Sequence, residues 1–400
     1  MNIQTHLETL SVEIGARPVG SDANRAAEEY IARVFERAGR RVERQVFPCF
    51  DWQLGKTELR VNGASLPACA NPYTLLCDVT APLVFARTRE ELERAEFQNK
   101  ILVLSDELAR EAYFPKNFRF VTIAEQQEIL ARLERRKPAA IIAVSPHEKN
   151  PAPIFEDGDF EIPSVTVAAD VGATLLQHRD ARVSLHIDAT RKTARGANVI
   201  ATSKTHARKK IVLCAHFDTK PDTPGALDNA AGVSALLASA QTLDTKNLPF
   251  AVEWIAFNGE DYYSAAGQVL YLDARGSEFE NIALAINMDG IGWRESRNSI
   301  AFFNCPREFE NAVTTNLSEI ARVGPWYQGD HSLFAMQGIP CLAFSSEGAE
   351  VLIDTVIHTQ DDTPAIVNVS LVAQVVDAIA AILNGDVMDA LDAARDVSAA

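Results

Sequence analysis

Cysteine is scarce in these 400 residues: six are scattered through the chain (Cys49, Cys69, Cys77, Cys214, Cys305 and Cys341), with no C-x-x-C pair among them. A disulfide framework is therefore not the expectation. The pattern reads as buried free thiols in a reducing compartment. No apolar run approaches the ~18 residues of a spanning helix. The opening MNIQTHLETLSVEIGARPVGS has no basic segment followed by an apolar one, so it does not read as a secretory leader. Positive charge is also in deficit, with 38 Lys and Arg against 54 Asp and Glu and a net charge of −16. Such a surface is poorly matched to a nucleic-acid backbone or to anionic lipid, and neither is an expected partner. Internal repeats and low-complexity segments are lacking too. A cytoplasmic protein is the expectation.

Hydrophobic residues make up 47% and charged residues 23%, enough for a sizeable core. At ~100–200 residues per domain, the length calls for one large domain with an insertion, or for two domains. Residues 22–38 place Ala26, Tyr30, Ile31, Val34 and Phe35 at helical spacing, with Gly39 as a stop. Residues 40–50 alternate through Val42, Val46 and Phe47 as a strand does. From about 56 to 190, short runs such as ILVLS (101–105), AAIIAVS (139–145), PSVTVA (163–168) and RVSLHID (182–188) surround a helical pattern near 123–136. They read as a small β-rich or α+β unit with its own core.

After Arg195 the chain alternates strand and helix, the signature of an α/β sheet with helices on its faces. The expected strands are 198–202, 211–215, 251–257, 283–288 and 340–345, and the expected helices are 229–243, 263–274, 308–321 and 366–384. The Ala- and Asp-rich tail, 386–400, reads as a loosely attached helix. Acidic residues and histidines mark the ends of these elements. His216 and Asp218 follow the strand IVLCA, Asp228 opens the next helix, Glu260 and Asp261 follow AVEWIAF, Asp289 closes ALAINM, and His358 lies in the loop HTQDDT. In an open α/β sheet, ligands bind beyond the carboxyl ends of the strands, so these residues can converge on one crevice.

Carboxylates crowded together repel one another and are raised in pKa, a penalty that divalent cations remove. Imidazole with carboxylate suits zinc, with manganese or cobalt as alternatives. Two histidines and three carboxylates suffice for two metals sharing one bridging carboxylate, which leaves a further carboxylate as general base. Taken singly, each Asp or His at a strand end is more often a cap or a solvated loop residue, and Asp228 is well placed to cap the helix after it. Independent capping gives no reason for seven such residues to mark successive elements. His6, His147, His178, His186 and His206 lack acidic company and read as surface or satisfied histidines.

The segments AHFD (215–218), PGALDNAAG (224–232), FNGED (257–261), INMDGIG (286–292), GDHSLF (329–334) and HTQDDT (358–363) resemble, in order, the co-catalytic zinc aminopeptidase family. Glutamate carboxypeptidase-like enzymes, glutaminyl cyclases and the transferrin receptor ectodomain belong to the same family. The resemblance extends to IGARPVGSDANRAAEEYIARVFERAG (14–39). NKILVLS, RKPAAIIAVS and FEIPSVTVAADVGATLL resemble a protease-associated (PA) domain. The implied fold is an α/β, three-layer, mixed-sheet zinc-exopeptidase (phosphorylase/hydrolase-like) domain over 1–55 and 191–385. A β-rich PA-like domain is inserted at 56–190, and 386–400 form a C-terminal tail.

The resemblance implies two Zn2+ per chain and a peptide substrate. Asp228 would bridge the metals, with His216 and Asp289 completing one site and Asp261 and His358 the other. Glu260 would be the general base, and Asp218 would stand behind His216 and fix its ring. The sequence departs from the family at Asp261, where a second glutamate is usual, and in the aromatic run Tyr262–Tyr263 that follows. Trp326 and Tyr327 are candidates for the substrate side-chain pocket, and Asp330 for a contact to a free amine or for positioning a loop. Arg294 and Arg297 are candidates for holding a substrate carboxylate, or else pair with surface acids. An aminopeptidase is the first reading. A glutamate-carboxypeptidase-like or dipeptidase activity is the alternative, ahead of a glutaminyl cyclase or a non-catalytic binding module. Three roles stay open for the inserted unit: restricting access to the crevice, packing the partner of a homodimer, or supporting the fold.

Overall fold

The computed structural model describes residues 2–146, 151–205, 207–353, 355–384 and 387–391. The chain divides into two units, Met1–Cys49 with Arg195–Ala400, and Phe50–Ala194. The chain passes between them within two long strands, Arg41–Val61 and Arg182–Thr202.

In the first unit the strands run in the order Ala321–Arg322, Asn298–Phe303, Cys341–Ser346, Ile282–Met288, Lys210–His216, Ala251–Phe257 and the end of Arg182–Thr202. The central neighbours Cys341–Ser346, Ile282–Met288, Lys210–His216 and Ala251–Phe257 are parallel. Asn298–Phe303 and the end of Arg182–Thr202 are antiparallel to their inner neighbours. Parallel neighbours need crossovers, and the helices of this unit supply them. Ile211, Leu213 and Ala215, with Val252, Trp254 and Ala256 beside them, turn one sheet face into a core shared with helices Ile3–Glu8, Asp22–Arg37, Ala231–Thr242 and Val369–Asn384. On the opposite face Phe257 packs edge-on against Tyr271 of helix Ala266–Arg275, with Phe334 of helix His331–Ala335 alongside. Helices thus lie on both faces of a mixed sheet, the three-layer α/β arrangement.

Helix Asp22–Arg37 begins as its sequence prescribes, with Ser21 Oγ accepting the Asn24 N–H at 3.0 Å. Helix Ala231–Thr242 is buried along nearly its whole length. Its Gly232 is required by close approach: a Cβ there would come within 2.2 Å of Asn229 Oδ1 and of the Met288 carbonyl. The strand Asn298–Phe303 and the helical start Ile3–Ile14 add to the elements expected from sequence. The expected helix at 308–321 ends earlier, as Arg307–Asn316, and Ala321–Arg322 is a strand. The tail departs from expectation as well. Val387, Met388 and Leu391 are helical and join the main core, so this part is firmly packed, while 386 and 392–400 lie outside the described residues.

In the second unit Cys77–Ala86, Ile101–Leu104, Ala140–Val144 and Ser164–Val167 are successive parallel neighbours. Cys69–Ala70 and the start of Arg182–Thr202 are antiparallel at either edge. Helices Arg89–Arg94 and Ala124–Arg136 separate parallel strands in sequence and Ala169–Gln177 follows the last of them, giving the unit more helix than a β-rich reading expects. No helix among the described residues is long and apolar enough to cross a membrane. None of the six cysteines forms a disulfide, but the expectation of uniform burial fails for Cys69, which is exposed, and for Cys305, which is half-buried.

Candidate metal centre

Burial drives four apolar parallel strands together, and the carboxyl ends of Lys210–His216, Ala251–Phe257 and Ile282–Met288 deliver His216, Glu260, Asp261 and Asp289 to one place. His216 ends its strand and is 1% exposed; its Nε2 lies 3.0 Å from Asp228 Oδ1 and 3.6 Å from Asp289 Oδ1. His358, from the loop before the last helix, directs Nε2 to the other oxygen of Asp228 at 3.0 Å and to Asp261 Oδ1 at 3.1 Å. Asp228 therefore offers one oxygen to each histidine. Among the described residues, two groups can hold a cation, His216–Asp228–Asp289 and Asp228–Asp261–His358, and they share that carboxylate.

The turn that carries Asp228 is held from three sides. Its Asp228–Asn229 peptide is cis, and Asp228 and Asn229 leave helical backbone angles at φ −117° and −139°. Asn229 Nδ2 donates to the Met288 carbonyl at 2.9 Å, joining this turn to the strand end that bears Asp289. Asp362 Oδ1 accepts the Leu227 N–H at 2.7 Å and its Oδ2 accepts that of Asp228 at 3.1 Å. Arg17 is buried beneath, with its guanidinium donating to the carbonyls of Phe217 (2.5 Å), Pro224 (2.7 Å) and Gly225 (2.9 Å).

Asp218 does a second job beside the one expected. His216 Nδ1 is 3.3 Å from the Asp218 main-chain oxygen, whereas the carboxylate Oδ1 lies 3.8 Å away. That carboxylate accepts the N–H groups of Gly259 (2.7 Å), Glu260 (3.2 Å) and Asp261 (3.1 Å). A tight turn at the end of strand Ala251–Phe257 points three N–H groups one way, and a buried carboxylate satisfies them. Asp218 thus fixes the turn that presents Glu260 and Asp261.

Charges are strongly coupled here. Burial opposes ionisation of Asp228, yet its hydrogen bonds to His216 and His358 hold it well below the usual carboxylate range. Burial would lower His216, but the carboxylates around it, Asp289 first and then Asp218 and Asp228, hold it well above its ordinary value. Burial pushes Glu260 well up; His216 opposes this, and Asp261, Asp289 and Asp330 add to it. Such a cluster of like charges is the environment a divalent cation relieves. Asp261 Oδ2 is buried without a hydrogen-bond partner among the described residues, as an atom awaiting a cation would be. Two imidazoles with carboxylate oxygens are a donor set that fits zinc.

The proposed substrate-side residues are placed unequally. Tyr327 is 65% exposed, with its ring edge-on to Phe303 at 5.3 Å. Trp326 is half-buried and stands edge-on to His331 at 4.4 Å. Gly329, at φ +118°, lets this loop close on the site: a Cβ would meet the Trp326 ring at 3.1 Å and Asp289 Oδ2 at 3.3 Å. Asp330 is buried and its Oδ1 accepts from Gln268 at 2.8 Å; burial pushes its carboxyl up to about 7. Arg297 pairs with Glu347 at 2.7 Å, and Arg294 donates to the Val367 carbonyl at 3.4 Å, so neither is aligned for a substrate carboxylate. His6 is buried beside Tyr30 at 2.7 Å, and His178 and His186 are half-buried. His147 and His206 lie outside the described residues. Sequence reasoning passed over Arg17, Asp362 and Lys220. Asp362 has one signal, an acidic pair shortly after His358, of which the structure buries only the second member.

Comparison with known proteins agrees with this architecture. Residues 198–383 match peptidase family M28. The probable lipoprotein aminopeptidase LpqL of Mycobacterium tuberculosis is 26% identical over 289 residues, 69% of this chain and 55% of that protein. Aminopeptidase YwaD of Bacillus subtilis is 28% identical over 145 residues, 36% of this chain and 31% of that protein. The chain thus spans about half, or less, of the length of these relatives. Among solved structures, an aminopeptidase from Aneurinibacillus sp. strain AM-1 superposes with a TM-score of 0.75 at 20% identity, covering 95% of this chain and 92% of that one. The zinc aminopeptidase BSAP of Bacillus subtilis gives a TM-score of 0.75 at 21% identity, covering 94% and 93%. At these identities the superpositions speak for the fold. Over residues 198–383, a little under half of its length, the chain is therefore similar to peptidase family M28.

Proposed function

We propose that the chain is a metal-dependent exopeptidase, an aminopeptidase that hydrolyses the N-terminal residue of peptides with two zinc ions bound. The observation that carries this reading is Asp228, whose two oxygens each lie 3.0 Å from a different histidine. His216, Asp228 and Asp289 would hold one ion, and Asp228, Asp261 and His358 the other, with manganese or cobalt as alternative metals. The ions would supply Lewis acidity toward the peptide carbonyl and acidify water at neutral pH.

Glu260 carries the proton traffic. Its raised affinity for a proton suits a group that accepts one from the attacking water and returns it to the leaving amine nitrogen. Asp218, through three backbone N–H groups, holds Glu260 and Asp261 in register. Trp326 and Tyr327 flank the substrate side, and Asp330 with Gln268 braces their loop. In this reading the second unit is a PA-like insertion. A cytoplasmic location is supported by six cysteines of which none is in a disulfide.

Mass-spectrometric product analysis of the zinc-reconstituted chain tests the assignment, using a peptide pool with free and blocked termini. Shortening of free peptides from the N-terminus, with blocked ones untouched, is the expected result. Loss of C-terminal residues, formation of pyroglutamate, or no product with any metal would overturn it.

A further inference from the structure

The two cation sites are built unequally. His216 of the first is 1% exposed, whereas His358 of the second is 40% exposed. The second site also rests on Asp261, one methylene shorter than the glutamate usual there. A cation stands beside that residue: Lys220 Nζ lies 3.7 Å from Asp261 Oδ1 and donates to the Asp261 carbonyl at 3.0 Å. Asp289, the corresponding ligand of the first site, faces His216 instead.

We propose that Lys220 sets the order of metal binding: the His216–Asp228–Asp289 site fills first, and Lys220 keeps the Asp261–His358 site weak and readily exchanged. The inference rests on the di-metal reading above. An ammonium this close to a buried carboxylate neutralises much of the charge that would attract a divalent ion, and then repels the ion once bound. Lys220 lies four residues beyond His216 on the loop after that strand, and its side chain is 21% exposed, so it is held within the site rather than swinging freely in solvent. The second metal must enter against it. Removing one such charge is worth on the order of 10- to 100-fold in affinity for the second ion.

The sign of the effect separates this role from simple bracing. If Lys220 only held the Asp261 backbone, its loss would loosen the ligand and weaken the second metal. If it opposes the metal, its loss tightens the second metal. The experiment titrates zinc into the metal-free full chain against a chromophoric chelator, for the parent, Lys220→Met and Lys220→Arg, with thermal unfolding of each as a check on folding. The parent is expected to bind two ions in separated steps. Lys220→Met should tighten the second step 10- to 100-fold and leave the first within about threefold, while Lys220→Arg, which keeps the charge, should retain the parent's separation. A second step unchanged or weakened in Lys220→Met overturns the proposal. Uptake of fewer than two ions by the parent at saturating zinc overturns the di-metal reading itself, and the stoichiometry tells the two failures apart.

Discussion

Asp362 and Asp228 are 134 residues apart in sequence, yet Asp362 Oδ2 accepts the main-chain N–H of Asp228 at 3.1 Å while Oδ1 accepts that of Leu227 at 2.7 Å. Asp362 follows His358 by four residues, so this contact fastens the loop that supplies a histidine to the turn that supplies the shared carboxylate. The Ala226 N–H, donated to the Asp362 carbonyl at 3.2 Å, completes the clasp.

Asp362→Asn tests the clasp. Asparagine keeps one acceptor oxygen but turns an NH2 toward an N–H that needs an acceptor. Zinc affinity should fall by about 10-fold, the lower end of what loss of a ligand-orienting partner costs. Chelator competition on the purified variant reads it; affinity equal to the parent's would show that the turn holds its shape without Asp362.

Glu260→Gln removes the proposed proton acceptor and keeps nearly the same volume. Zinc content and KM should stay close to the parent's, while kcat falls by ~100-fold or more. Steady-state kinetics beside metal analysis decides the point, and near-parental turnover would reassign the base.

The cluster was legible where its members end apolar runs: His216 closes KIVLCAH, Asp289 follows IALAINM, and Glu260 and Asp261 follow AVEWIAF. The braces were not. Arg17 reaches the Phe217 carbonyl across 200 residues, and main-chain oxygens leave no trace in side-chain pattern. Asp218 was recognisable as a site residue, but its hold on three backbone N–H groups depends on how the Gly259–Asp261 turn closes. The strand Asn298–Phe303 was missed because it opens on Asn and Ser, polar residues that are nonetheless buried. In the tail, an Ala- and Asp-rich composition hid the apolar stripe of Val387, Met388 and Leu391.

Arg17 is a buried cation that has no carboxylate in direct contact among the described residues and is satisfied by carbonyls instead; burial pulls its pKa down to about 10, leaving it charged at neutral pH. Arg17→Met strands the oxygens of Phe217, Pro224 and Gly225. Stability should drop by roughly 3–5 kcal/mol. Arg17→Lys should recover only part of this, because three donors replace five. Thermal and urea unfolding of the metal-free chains measure both, and a Lys variant as stable as the parent would show that charge alone matters.

His331 links folding to pH. Its Nε2 lies 2.7 Å from the Trp326 carbonyl and its Nδ1 3.3 Å from Asn287 Nδ2, a pairing that suits a neutral ring donating from Nε2 and accepting at Nδ1. Burial pulls its pKa down to about 4 from the ordinary 6.5. Between these values the unfolded chain binds the extra proton, so the contribution is complete above pH 6.5 and is lost as pH falls toward 4. A difference of this size corresponds to ~3 kcal/mol. His331→Gln should be less stable than the parent at pH 7, yet its stability should decline less between pH 6.5 and 4. Urea unfolding of both chains across that range checks it; parallel pH profiles would mean that the ring does not stay neutral in the folded protein.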